Sequence, residues 1–195
     1  MKLHILSDLH LSVYDMSPPR TDADVVILAG DIARPIEAIA WILAFTDKPV
    51  VYVPGNHEFY GSSLQATVQE LQRLTAGTNI HVLDNQVLEW HGVRFVGSTL
   101  WTDFLAAGTG TEQTGAIVQS MAFNRDFSRI YTDEPPDRRL FTPQDSAALF
   151  ARNAVRHRAT PALWRFNGSS HAPRSFVAQY PPSFCWLCTQ RQLRL

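Results

Sequence analysis

Cysteine is nearly missing from this chain: two in 195 residues, Cys185 and Cys188, in a single C-x-x-C pair. One such pair is half a zinc site and no disulfide framework, which excludes a small cross-linked secreted scaffold. Long apolar runs are missing too. The stretch Val25 to Gly30 is far shorter than the roughly 20 residues that a membrane-spanning helix needs. The opening Met1 to Ser7 meets Asp8 too early for the apolar centre of a signal peptide. The expectation is a soluble, cytoplasmic protein without a membrane partner. Acidic residues are absent from 146–195, which hold seven Arg, a net charge of +7. All 18 acids therefore fall in 1–145, where the net charge is −8. A basic tail invites a nucleic-acid reading, with Arg152, Arg156 and Arg158 as a possible helical stripe. The tail lacks clustered Lys/Arg and ordered aromatic spacing, so nucleic acid is expected only as a substrate.

What is present suits a sizeable core, since 45% of residues are hydrophobic. Residues 2–7 alternate and read as a strand. Val25 to Ala29 is a continuous apolar run, as in a strand buried on both faces. Pro35 opens a helix in which Ile36, Ile39, Ala40 and Leu43 recur at helical spacing. Val50 to Val53 is a third strand, and residues 62–74 a second helix with Leu64, Val68, Leu71 and Leu74 on one face. Ile80 to Leu83, Gln86 to Trp90 and Val93 to Gly97 read as a β-meander with Asp-Asn and His-Gly turns. Thr142-Pro143-Gln144-Asp145 reads as a further helix start. This order predicts an α/β layered protein. Residues 101–120 read as a specificity loop, with Gly108-Thr109-Gly110 as its mobile stretch. Beyond about residue 160 prolines interrupt the chain and no period holds, so 1–160 is taken as the domain and 161–195 as an atypical, poorly packed tail.

Chemistry-bearing residues recur after the strands. Asp8 and His10 follow the first, Asp31 the second, and Asn56-His57-Glu58 the third. A lone D-x-H, Gly-Asp or Asn-His-Glu is ordinarily a turn or a helix cap. All three in order, each at the carboxyl end of a strand, describe a ligand-binding sheet edge. Carboxylate, imidazole and amide oxygen suit Mn, Fe, Zn or Ni better than Ca or Mg. Two such ions about 3.5–4 Å apart can activate water against phosphorus. Asp8 and Asp31 should repel each other without metal and raise the pKa of at least one.

Asp8-Leu9-His10, Gly30-Asp31-Ile32-Ala33-Arg34 and Gly55-Asn56-His57-Glu58 resemble the first three signature blocks of the calcineurin-like metallophosphoesterases. The likeness continues through Thr99 to Phe104, Met121 to Ile130 and Phe141 to Asp145, which resemble a small bacterial-type branch. The resemblance implies a four-layer α-β-β-α sandwich and a dinuclear metal centre. It implies that Asp8 and His10 hold the first ion, Asp31 bridges, and Asn56 holds the second. It makes His57 a general acid or transition-state donor; Arg34 is either a phosphate contact or a solvated helix-start residue. The family pattern then continues with a Thr-His-His-Ala-Pro segment and a Gly-His-x-His segment. Here Ser169-Ser170-His171-Ala172-Pro173 stands at the former, with His171 as candidate ligand, and the latter does not occur. The second half of the sandwich thus reads as incomplete, as a deletion or a shifted reading frame would leave it. The expected function is metal-dependent hydrolysis of a phosphomonoester or phosphodiester, impaired by the missing donors. The alternatives are an inactive truncated or frame-shifted remnant and, further off, a nucleic-acid-binding protein.

Overall fold

The computed structural model describes residues 1–159. Its centre is a four-stranded parallel sheet, in the order β1 (Leu3–Leu6), β2 (Val25–Ala29), β3 (Val50–Val53), β4 (Ile80–Val82). Side chains alternate faces along a strand, and here each face has its own partner. Val26, Leu28, Val50 and Tyr52 pack with Ala38, Ile39, Ile42 and Leu71 from α1 (Pro35–Phe45) and α2 (Leu64–Thr75). Val25, Ile27, Val51 and Val53 pack instead against Leu88, Trp90 and Phe95 of the hairpin β5 (Gln86–Trp90) and β6 (Val93–Gly97). Helices, parallel sheet and antiparallel ribbon make a mixed α/β stack. Continuous apolar strands are what burial on both faces demands.

After Ala107 come α3 (Thr111–Phe123), α4 (Asp126–Arg129) and α5 (Pro143–Ala159). Phe59, Tyr60, Trp101, Ile130 and Phe141 form a separate aromatic cluster, joined by Leu149 and Phe150 of α5. The start of α5 is a reciprocal cap. Thr142 donates its backbone N–H and its hydroxyl to Asp145 Oδ2 (2.9 and 2.6 Å), and Asp145 N–H returns a bond to Thr142 Oγ1 (3.3 Å).

Three expectations are corrected. The meander is split: β4 pairs in parallel with β3, and only β5 and β6 pair antiparallel through the His91-Gly92 turn, both residues at positive φ. Spacing alone could not separate a short strand returning through α2 from a hairpin strand. In α1 the buried face is Ala38, Ile39 and Ile42, while Ile36 and Leu43 are exposed. That helix is apolar nearly all round, so its period fits more than one face. The second half of 101–120 is helix α3, not loop. Its only interior glycine, Gly115, and its lack of any buried residue hid it from periodicity. The expectations for the tail, for His171 and for the C-x-x-C pair lie outside the described residues.

Candidate metal centre

Parallel strands put their carboxyl ends on one edge. The chain leaves β1, β2 and β3 there, and the loops stay paired beyond the strands. Asp8 N–H donates to Gly30 O (3.0 Å), His10 N–H to Asp31 O (2.9 Å) and Leu11 N–H to Ile32 O (2.8 Å). Asp8, His10 and Asp31 all adopt left-handed backbone, at φ 55°, 47° and 56°. Each such non-glycine residue costs on the order of 1–2 kcal/mol, although Asp tolerates the region better than most. Strain of this kind concentrates where a surrounding structure enforces it at a working site.

At Asp31 the enforcing group is Glu58, buried to 1% exposure. Its carboxylate accepts from Asp31 N–H (3.1 Å), Ile32 N–H (2.8 Å), Gly55 N–H (3.0 Å) and the Tyr52 hydroxyl (2.7 Å). It ties the loop after β2 to the loop after β3. Burial and the Asp31 charge push its pKa up to about 7. Gly55 allows the two loops to close. A Cβ there would lie 2.5 Å from Asp31 N and inside contact distance of Asp31 Oδ1.

The result is a cluster. One donor atom each from His10, Asp31 and His57 lies within 4.8 Å of the others. Groups that close place a carboxylate and an imidazole where they could hold one cation, with the second imidazole beside it. The donor set, with an amide oxygen at Asn56, fits a borderline transition-metal ion. Asp31 is 4% exposed and accepts from His57 N–H at 2.9 Å. Its pKa is raised by burial first; the Asp8 charge adds to this, while the His57 backbone bond and the nearby imidazoles oppose it. Burial thus outweighs the repulsion anticipated from Asp8. Burial likewise lowers His57, against the pull of Asp31. The His57 ring lies 4.5 Å from the His10 ring and stacks at 4.5 Å on Tyr60.

Asn56 stands beside this cluster, and its amide Nδ2 donates to Asp126 Oδ1 at 2.7 Å. Arg34 caps the start of α1 with its guanidinium 5.8 Å from the Tyr60 ring centre. Arg129 approaches the same ring at 5.9 Å, and burial, then the Arg129 charge, lowers the Arg34 pKa. Next to Tyr60 and Glu58 a cleft of 490 Å³ opens between Arg34, Glu37, Ser62 and Glu70. Ser12 Oγ donates to Glu37 at 2.6 Å, and Arg73 pairs with Glu70 at 2.7 Å. Sequence reasoning missed Glu58 as a brace, although its place beside Asn56-His57 was a signal. It missed Asp126 entirely, because 70 residues separate that carboxylate from Asn56.

A family model described as calcineurin-like phosphoesterase matches residues 1–180 of the chain. A protein of Acanthamoeba polyphaga mimivirus, named "Uncharacterized protein L509", is 30% identical over 131 residues. The match covers 52% of this chain and 44% of that protein, so the chain spans less than half the length of the curated relative.

Proposed function

The chain belongs to the calcineurin-like phosphoesterase family, and on that premise we propose that it hydrolyses a phosphomonoester or phosphodiester with divalent metal. The observation that carries the proposal is the His10, Asp31 and His57 cluster, beside three residues in left-handed backbone, of which Asp31 is held by a buried carboxylate. In this reading Asp8 and His10 would hold one ion, Asp31 would bridge, and Asn56 would hold a second through its amide oxygen. Mn, Fe, Zn and Ni all suit that donor set. When bound, such a pair supplies charge neutralisation at the phosphoryl oxygens and activation of water.

The chain's own residues do the rest. His57 gives its proton to the leaving oxygen; burial lowers its pKa, so the proton is given up more readily than by a solvated imidazole. Arg34 contacts a phosphoryl oxygen, and the adjoining cleft takes the group attached to phosphorus. Among the described residues neither Arg34 nor Arg129 has a carboxylate within 4.0 Å, so both keep charge to offer an anion. No helix of the described residues is long and apolar enough to cross a membrane. We assign the chain to the cytoplasm on its cysteine-poor composition.

We further propose that residues 1–160 are the catalytic domain, related to a small bacterial-type branch, and that 161–195 are an atypical tail. No Gly-His-x-His occurs in the 195 residues, and His171 is the one later candidate ligand. We therefore propose that the first ion is held better than the second and that turnover is impaired; an inactive remnant is the limit of this reading. The test is hydrolysis of 4-nitrophenyl phosphate and bis(4-nitrophenyl) phosphate with and without Mn²⁺. Slow, Mn²⁺-dependent release of nitrophenol that Asp31→Asn removes is the expected result. Release of the same size in Asp31→Asn would contradict it.

A further inference from the structure

Asp126 lies at the start of α4, is 6% exposed, and takes no part in the cluster of donors. Its Oδ1 accepts two bonds, from Asn56 Nδ2 (2.7 Å) and from the Tyr60 hydroxyl (2.8 Å). Its Oδ2 accepts from Asn124 Nδ2 (2.9 Å), whose own Oδ1 accepts from Asp126 N–H (3.0 Å). The segment that carries it is fastened to the His57–Tyr60 turn. Gly61 N–H donates to Arg129 O (2.6 Å), Tyr131 N–H to Ser62 O (3.1 Å) and Leu64 N–H to Tyr131 O (3.0 Å). The carboxylate is therefore held on both sides, by its own turn and by the turn it faces.

From this geometry we infer that Asp126 is a positioning residue, fixing the Asn56 amide so that its carbonyl oxygen is presented to a divalent cation. The bond runs from Nδ2 to the carboxylate oxygen, so the side of the amide that meets Asp126 is the NH₂. The amide is planar, and Oδ1 is then turned away from Asp126. That oxygen is the atom a cation requires; an amide free to flip would offer NH₂ half the time. The same carboxylate anchors Tyr60, whose ring stacks on His57 at 4.5 Å. Burial and then Asp126 hold the Tyr60 phenol protonated, its pKa driven up, so it stays a donor. One buried group thus sets Asn56, the chain neighbour of His57, and Tyr60, whose ring stacks on His57, from a part of the chain that no motif spacing connects to them.

The inference rests on the reading of Asn56 as a metal ligand, and the experiment separates the two. Mn²⁺ binding is measured by calorimetry on the full chain for wild type, Asp126→Ala, Asn56→Ala and the double variant, beside the melting temperature of each metal-free protein. Removing a partner that orients a ligand typically costs 10–100-fold in affinity. Asp126→Ala is expected to weaken Mn²⁺ binding by about that factor in wild type, and to have no further effect once Asn56 is Ala. A purely structural Asp126 would lower the melting temperature of both backgrounds and weaken binding equally in both. Asp126→Asn keeps the shape and an acceptor oxygen, and serves if the Ala variant does not fold. It is expected to weaken binding about threefold in wild type, as charge-assisted bonds become neutral ones, and not at all beside Asn56→Ala. Asp126 variants that bind Mn²⁺ as wild type does, or that lose the same factor in both backgrounds, overturn the inference alone. A wild type that binds no Mn²⁺ overturns it together with the proposed function.

Discussion

Two buried carboxylates brace the two sides of the candidate site, and they grip different parts of the chain. Glu58 accepts from three backbone N–H groups and one phenol, so it holds the course of the main chain after β2 and β3. Asp126 accepts side-chain donors from Asn56, Tyr60 and Asn124, so it holds orientations. Main-chain bracing decides whether the edge forms; side-chain bracing decides what the formed edge presents. Glu58 is part of the turn it stabilises, three residues from Gly55, while Asp126 reaches Asn56 across 70 residues. The first is therefore expected to dominate stability and the second to dominate ligand affinity.

The largest effect that would break this division is at Glu58. Glu58→Ala leaves the Asp31, Ile32 and Gly55 N–H groups and the Tyr52 hydroxyl without their acceptor. Each unsatisfied group costs about 1–3 kcal/mol, so a loss of roughly 4 kcal/mol or more is expected in urea unfolding. A midpoint equal to wild type would remove Glu58 as the main-chain brace. Next is Gly55→Ala. The added Cβ must push Asp31 away, which is expected to cost about 1–3 kcal/mol as overpacking does and to weaken Mn²⁺ binding at least about tenfold through the displaced carboxylate. Unchanged binding would mean that the Asp31 position is not the one that matters.

A comparable effect appears in pH. Glu58 holds its proton more tightly folded than unfolded, with a pKa of about 7 against the ordinary 4.5. The stability it contributes is complete below about 4.5 and is lost as pH rises through about 7. The difference is on the order of 3 kcal/mol. Metal-free protein should therefore lose unfolding free energy between pH 5 and pH 7.5, and Glu58→Gln should flatten that slope. A Glu58→Gln slope as steep as wild type would assign the loss to other groups. The smallest effect is at the surface. Arg139 is half exposed and pairs with Asp145 at the cap of α5. Arg139→Ala should shift the urea midpoint only slightly, and no change in Mn²⁺ binding is expected, because the pair touches neither brace. A shift as large as that of Glu58→Ala would show a third brace overlooked.

The contrast between the braces also explains what could be read in advance. The strands β1 to β3 announce themselves through apolar runs, and the candidate donors sit two to four residues past each strand end. Those are short-range signals, carried by residues that are neighbours in sequence. The strand β4 was legible as a strand, but its partner was not, since pairing with β3 depends on the path of α2. Helix α3 carries no amphipathic period because it buries nothing, with Val118, Met121 and Phe123 all exposed. Asp126 was illegible for a related reason: it opens a helix of four residues and its partners are on another turn altogether. Local order leaves a pattern in sequence, and a hydrogen bond across 70 residues does not.

Everything proposed for this edge of the parallel sheet depends on whether it takes a divalent cation through Asp31. Calorimetric titration of the purified chain with Mn²⁺, wild type beside Asp31→Asn, measures it. Saturable binding in wild type, weakened at least about tenfold in Asp31→Asn, is the predicted result. Equal affinity in the two proteins, or no binding in either, would contradict it.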